Sequence, residues 1–218
     1  VDQDRNKVLL ELTPERMGKD LLHETVLATG GGVSALGLDR GQTGGSAVIR
    51  FERRGKRVVV LRDNWSVRAI GADEAGQRAA RGAFPTSVVG SFPIEGEANN
   101  VLTVDATSFF LSDTYGIAES VRRAQGGNAR VDANRSWFDV TRTRAFPTNT
   151  EIHSVLTFNV DNPGFVMRRA APEANSPTFE VHHSLVALPE AAGWRPRAAD
   201  SRAGFFGPRF FNFANAFD

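Results

Sequence analysis

Two neighbouring stretches, Ala47-Val48-Ile49-Arg50-Phe51-Glu52 and Arg57-Val58-Val59-Val60-Leu61-Arg62, are rich in β-branched and apolar residues. Arg53-Arg54-Gly55-Lys56 joins them with the glycine that a tight turn requires, and the pattern predicts a β-hairpin. Residues 151 to 160 and Thr178 to Leu188 show the same β-rich character and are long enough to lie side by side as strands. Thr86 to Phe92 and Val101 to Val104 predict two more, and Ser136 to Thr141 a further short one. Val8 to Leu12 is a short apolar run; Thr13 as N-cap and Pro14 at the first helical position predict a helical turn after it. Leu21 to Thr29 fits either strand or helix, and Gly30 to Gly32 end it in both cases.

Helical patterning is confined to short segments. Asp73 to Ala83 is rich in Ala, Gln, Glu and Arg and stops before Pro85. Between Asp105 and Arg123, Phe110, Ile117 and Val121 recur at spacings that share one face of a helix, with Asp105 as the expected cap. Residues 162 to 177 carry three prolines and little periodicity, which predicts a loop. The expected architecture is a single α+β domain over residues 1–188, mainly antiparallel sheet with a few short helices. Residues 189–218 form an extended aromatic-rich arm or inter-domain linker.

Composition narrows the classes of function. The formal net charge of +1 gives no electrostatic reason to expect nucleic acid or an anionic membrane as partner. At 41% hydrophobic residues the chain can bury a core, yet no apolar run approaches the ~18–20 residues of a membrane span. The absence of cysteine excludes disulfides and thiolate metal sites. Valine as first residue reads as the mark of a trimmed chain. Only Lys7, Lys19 and Lys56 are lysines, so nearly all of the 26 basic residues are arginine, suited to bidentate bracing between loops.

Few residues form a pattern that carries chemistry. Gly30-Gly31-Gly32-Val33-Ser34-Ala35 satisfies a loose dinucleotide-loop pattern, but Gly37 and Gly41 break the long helix such a site needs, so a surface loop is expected. Ser34 has no base nearby in sequence. Asp39 and Arg40, flanked by Gly37 and Gly41, predict a buried or half-buried ion pair that fixes a loop. His182 and His183 are adjacent, so on a strand they point to opposite faces and only one reaches the core. His183, sharing its face with Leu185 and Ala187, is expected to pack rather than to bind metal. His23-Glu24-Thr25-Val26-Leu27 has leucine where the second histidine of a zinc helix would stand. Phe205, Phe206, Phe210, Phe211, Phe213 and Phe217 fall within thirteen residues, broken by Gly207 and Pro208, and such an irregular aromatic strap needs a surface to cover.

Several stretches carry a resemblance. Gly37-Leu38-Asp39-Arg40-Gly41, residues 87–94, Val104-Asp105-Ala106-Thr107 and residues 145–151 are followed by residues 182–189 and Gly193-Trp194-Arg195-Pro196-Arg197. Asp200-Ser201-Arg202-Ala203-Gly204-Phe205-Phe206 closes the series. In that order they resemble the N-terminal domain of unknown function of bacterial zinc metalloproteases of the Met-zincin type. The resemblance implies a secreted, periplasmic or cell-surface bacterial protein whose catalytic domain, with its zinc, is absent from this chain. No catalytic, metal or cofactor residue is then expected here, and the partner is the catalytic domain of the same precursor. Arg195, Arg197, Asp200, Arg202, Phe205, Phe206, Phe210 and Phe211 become candidate interface residues. Two alternatives stay open: an inhibitory pro-domain, or an independent β-module reading peptide or glycan through Trp65, Trp137, Trp194 and Tyr115.

Overall fold

A computed structural model describes residues 1–189, 200–202, 204 and 210–214. In chain order the elements are β1 (Leu9–Leu12), β2 (Asp20–Leu27), β3 (Ala47–Arg54), β4 (Arg57–Arg62), β5 (Val67–Arg68), α1 (Glu74–Gly82), β6 (Ser87–Ala98) and β7 (Val101–Asp105). They continue with α2 (Thr107–Phe110), α3 (Ile117–Arg123), β8 (Asn128–Val131), β9 (Trp137–Phe138), β10 (Arg144–Ala145), β11 (Asn149–Asp161), α4 (Phe165–Ala170), β12 (Thr178–Ala187) and β13 (Phe211–Asn212).

Antiparallel pairing dominates, as the alternation of the strands implies. One sheet runs β1-β7-β6-β4-β3-β2-β12-β11-β10, with β8 and β9 also on β11. β3 and β4 form the expected hairpin, turning at Gly55 with φ 61°. β11 and β12 pair from Asn149↔Val186 to Thr157↔Thr178. β6 bends: its first half pairs with β4 and its second with β7, and register shifts at Val60/Leu61 and Ile94/Gly96 mark the bulges that sharpen the curve.

The curl brings the first and last strands within side-chain reach. Asn6, just before β1, donates its amide to the Ser136 carbonyl (2.9 Å) and accepts from the Phe138 N–H (3.2 Å). Arg16 donates to the Pro147 carbonyl at 2.8 Å. The sheet is thus an open barrel whose seam is closed by side chains at these two points. Its inner face carries the core: Leu27, Ile49, Phe51, Val58, Val60, Phe92, Leu102, Val104, Leu156 and Val181. Against it α2 seats Phe109 and Phe110, and α3 seats Ile117 and Val121, whose four-residue spacing puts both on one helix face. Each such aromatic removed from water contributes roughly 1.5–3 kcal/mol.

Arginine bracing is present where loops meet strands. Arg50 reaches Asp20 (3.1 Å), Glu52 (2.9 Å) and Asp63 (3.0 Å), tying β2, β3 and the loop before β5.

Three local expectations need correction. Residues 162–177 are not all loop, for α4 forms there, with Gly164 so close to the Gln125 carbonyl that a Cβ has no room. Met167 is its fully buried anchor. Ser136 to Thr141 pairs only at Trp137–Phe138, because Asp132 and Asp139 cap short helical turns on either side. The helical region after Asp105 is two pieces. Asp113 starts the second by accepting the N–H groups of Gly116 (2.9 Å), Ile117 (2.8 Å) and Ala118 (2.7 Å). The helical turn expected after β1 is present: the Thr13 carbonyl accepts from the N–H groups of Arg16 and Met17.

Candidate functional site

Strand order β2-β12-β11 gathers all four histidines, which the sequence scatters. His182 and His183 take opposite faces. His183 is fully buried on the inner face, stacked with His23 at an Nε2···Nδ1 distance of 3.3 Å. Phe109 and Phe110 pack edgewise or tilted against the pair. Burial holds His23 down to about 4 and His183 well below the ordinary imidazole value, so both are neutral.

The Nε2 of His183 and the hydroxyl of its cross-strand neighbour Thr25 have no hydrogen-bond partner among the described residues. An orphaned N–H costs more than an orphaned lone pair, which favours the tautomer in which His183 Nδ1 carries the proton and donates to His23. Thr25 Oγ1 lies directly under Gly44, where any Cβ would strike it.

On the outer face His153 and His182 lie opposite each other, with ring centroids 5.8 Å apart. Each is tied to its own carboxylate: His153 Nε2 to Glu180 at 3.1 Å, and His182 Nε2 to Glu151 at 2.7 Å. Arg142 bonds Glu180 at 2.8 Å and holds it below the usual carboxylate range. Burial pushes Glu151 up, but hydrogen bonds from Ser184, Asn149 and His182 outweigh it and keep the group low. His153 is lowered by burial, against the pull of Glu180.

Ser184 gives its hydroxyl to Glu151, not to an imidazole, and no serine of the described residues hydrogen-bonds a histidine. Among the described residues no three His, Asp or Glu side chains are placed to share a metal ion.

The Asp39–Arg40 loop departs from expectation. Both residues are exposed, and among the described residues neither has an ion-pair partner. The positive φ expected of Gly37 and Gly41 is present, at 61° and 82°, and it serves a plain turn in which Gln42 bonds back to Asp39. The loop borders a cleft of about 640 Å³ between residues 34–44 and α3, lined by Leu36, Gln42, Thr43, Tyr115, Glu119 and Arg123. Burial, and then the charge of Asp39, raise the Tyr115 phenol.

The other predicted residues lie elsewhere. Asp200 and Arg202 pair with each other on the surface at 2.7 Å. Arg195, Arg197, Phe205 and Phe206 lie outside the described residues, as do Trp194 and Phe217. Phe210 and Phe211 belong to a small unit apart from the main sheet. Here β13 pairs in parallel with β5, with Phe211 N–H on the Ser66 carbonyl and Phe213 N–H on the Arg68 carbonyl. The Arg68 guanidinium lies 4.5 Å from the Phe210 ring and 5.8 Å from the Trp65 ring, and Phe213 meets Phe84 edge-on at 5.8 Å. The unit is strongly apolar yet open: Phe211 is 73% exposed, Phe213 56%, Ile70 56% and Trp65 43%.

A model of a family described as a domain of unknown function, DUF5117, matches residues 41–217. The chain belongs to that family. No curated protein and no solved structure matches it. The DUF5117 match takes in the β5–β13 unit and the β11–β12 pair but begins after β2, although β2 lies between β3 and β12 in the sheet. The structural unit is therefore larger than the matched span.

Sequence reasoning missed Asn6, Glu151 and Glu180, and it placed Asp113 at a helix boundary without seeing that it starts α3. Asp113 carries a legible signal, an acid three residues before a Gly-Ile-Ala helix start; the others depend on strand register.

Proposed function

We propose that the chain is a non-catalytic accessory domain of a secreted or periplasmic bacterial zinc metalloprotease, docked on the catalytic domain through the β5–β13 surface. The observation that carries this reading is the cluster of Trp65, Ile70, Phe210, Phe211 and Phe213, held open on a two-stranded unit of its own. A monomer gains nothing from leaving such large apolar side chains wet, and contiguous patches of this kind mark contact surfaces. The resemblance to Met-zincin proteases supplies the partner, since there the catalytic domain follows the stretch that contains these residues. Zinc belongs to that partner in this reading, and the accessory domain covers its flank.

The test uses the parent protein's two parts, produced separately and mixed on a sizing column. Co-elution is expected, and Phe211→Asp with Phe213→Asp should abolish it while circular dichroism of the domain stays unchanged, because both side chains are exposed. Loss of two packed aromatic contacts weakens association by at least about a hundredfold. Co-elution that survives the double substitution overturns the docking surface. Peptide hydrolysis by the purified chain alone overturns the accessory role.

A further inference from the structure

The seam of the barrel is open between its two closures. Ala106 N–H bonds the Val8 carbonyl, which fixes the phase of the β1–β7 ladder: Val8, Leu10 and Leu12 face β7, and the N–H and C=O groups of Leu9 and Glu11 face away. None of those outward groups has a hydrogen-bond partner among the described residues. On the far side of the gap the two-residue β10 is the other end of the strand order.

Between the edges and the barrel mouth lies a cavity of about 500 Å³. Its floor is apolar, made by the buried Leu12, Leu21, Phe51 and Leu185, and Phe146 stands on the rim, 52% exposed. The rim carries two acids and one cation. Glu11 and Glu15 are exposed without an ion-pair partner among the described residues, and Arg16, which donates to the Pro147 carbonyl, offsets only one of the two charges.

We propose that this seam is a binding site for an extended peptide, which adds as a strand to the free edge of β1. It places an apolar side chain in the cavity and a lysine or arginine against Glu11 and Glu15. Free backbone donors and acceptors at every second residue match an added strand, not a compact small molecule. Asn6 already meets the adjoining edge this way, accepting one N–H and giving one N–H to a carbonyl as a strand residue does. Charge selects among occupants: a second copy pairing edge to edge would set its own Glu11 and Glu15 near the same acids, whereas a basic peptide is complementary. The site is independent of the β5–β13 surface and of the protease reading.

The experiment titrates the full chain into a fluorescein-labelled octapeptide alternating lysine and valine, read by anisotropy, with a glutamate–valine octapeptide as control. Saturable binding is expected for the first, about tenfold or more weaker for the second, with amide exchange slowed at Leu9 and Glu11. Glu11→Pro should abolish binding: its N–H points out of the ladder, so the β1–β7 pairing survives while the added strand is blocked. Phe146→Ser, which removes the exposed apolar side chain from the rim without adding a charge that would attract lysine, gives the same reading if the proline variant does not fold. Absence of saturation, binding undiminished in both variants, or slowed exchange confined to other strands overturns the proposal. So does a dimer of the chain that Glu11→Pro dissociates, which would assign the edge to a second copy.

Discussion

Burial keeps both inner histidines neutral, and two imidazoles 3.3 Å apart become a repelling pair once both are protonated. The folded value of His23, about 4, lies below the 6.5 of a free imidazole, so the unfolded chain takes up its proton first. Stability is then full above about pH 6.5 and is lost as pH falls toward about 4, by on the order of 3 kcal/mol from His23. Carboxylates held low by arginine, such as Glu180, give up their share only at still lower pH. Urea melts between pH 7.5 and 4.5 should show this fall, and His23→Gln should flatten it; an unchanged slope in the variant would place the acid sensitivity elsewhere. The opposite facing of His182 and His183 was legible from strand alternation alone. The contact between His23 and His183, 160 residues apart, was not, because it follows from the register of β2 on β12. Asp39 and Arg40 misled for a related reason: flanking glycines announce a turn, but only tertiary structure says whether the turn is covered.

Elements whose pattern repeats locally could be read, and elements held by one anchor could not. The β3–β4 hairpin declares itself by two β-rich runs and a glycine turn, and α1 by composition, its Asp73 cap and the proline beyond it. α4 has six residues and a single buried side chain, Met167, so no periodicity develops. α3 is also short, and its start depends on Asp113, whose two oxygens accept three backbone N–H groups that would otherwise be orphaned. Asp113→Ala should cost about 1–2 kcal/mol, and Asp113→Asn only part of that, since its single amide oxygen still accepts from Gly116 and Ile117 while the Ala118 N–H loses its partner. Thermal melts of the two variants separate the cap from any effect of charge: equal losses would make the charge, not the hydrogen bonds, the source.

The order of strands decides what can fold alone. β2 carries Leu21, His23, Thr25 and Leu27 into the core and is bonded on both sides, to β3 through Asp20↔Arg50 to His23↔Ala47 and to β12 through Leu27↔Val181 to Leu21↔Ala187. The DUF5117 match begins at residue 41, so a fragment cut to it lacks β1 and β2. Such a fragment must leave β3 and β12 with facing rows of unpaired backbone groups and their apolar inner side chains against water. Even one such strand of buried side chains is worth several times 1.5–3 kcal/mol, which exceeds a large part of the ~5–15 kcal/mol by which a domain is stable. Residues 41–218 should therefore lack dispersed amide signals and a cooperative melt, while the 218-residue chain shows both. Adding residues 1–40 as a separate peptide should restore part of the fold, because β2 enters by pairing on two free edges and needs no covalent link to do so. A cooperative melt of the 41–218 fragment by itself would show instead that β3 and β12 can close directly on each other, and that the barrel tolerates the loss of a central strand.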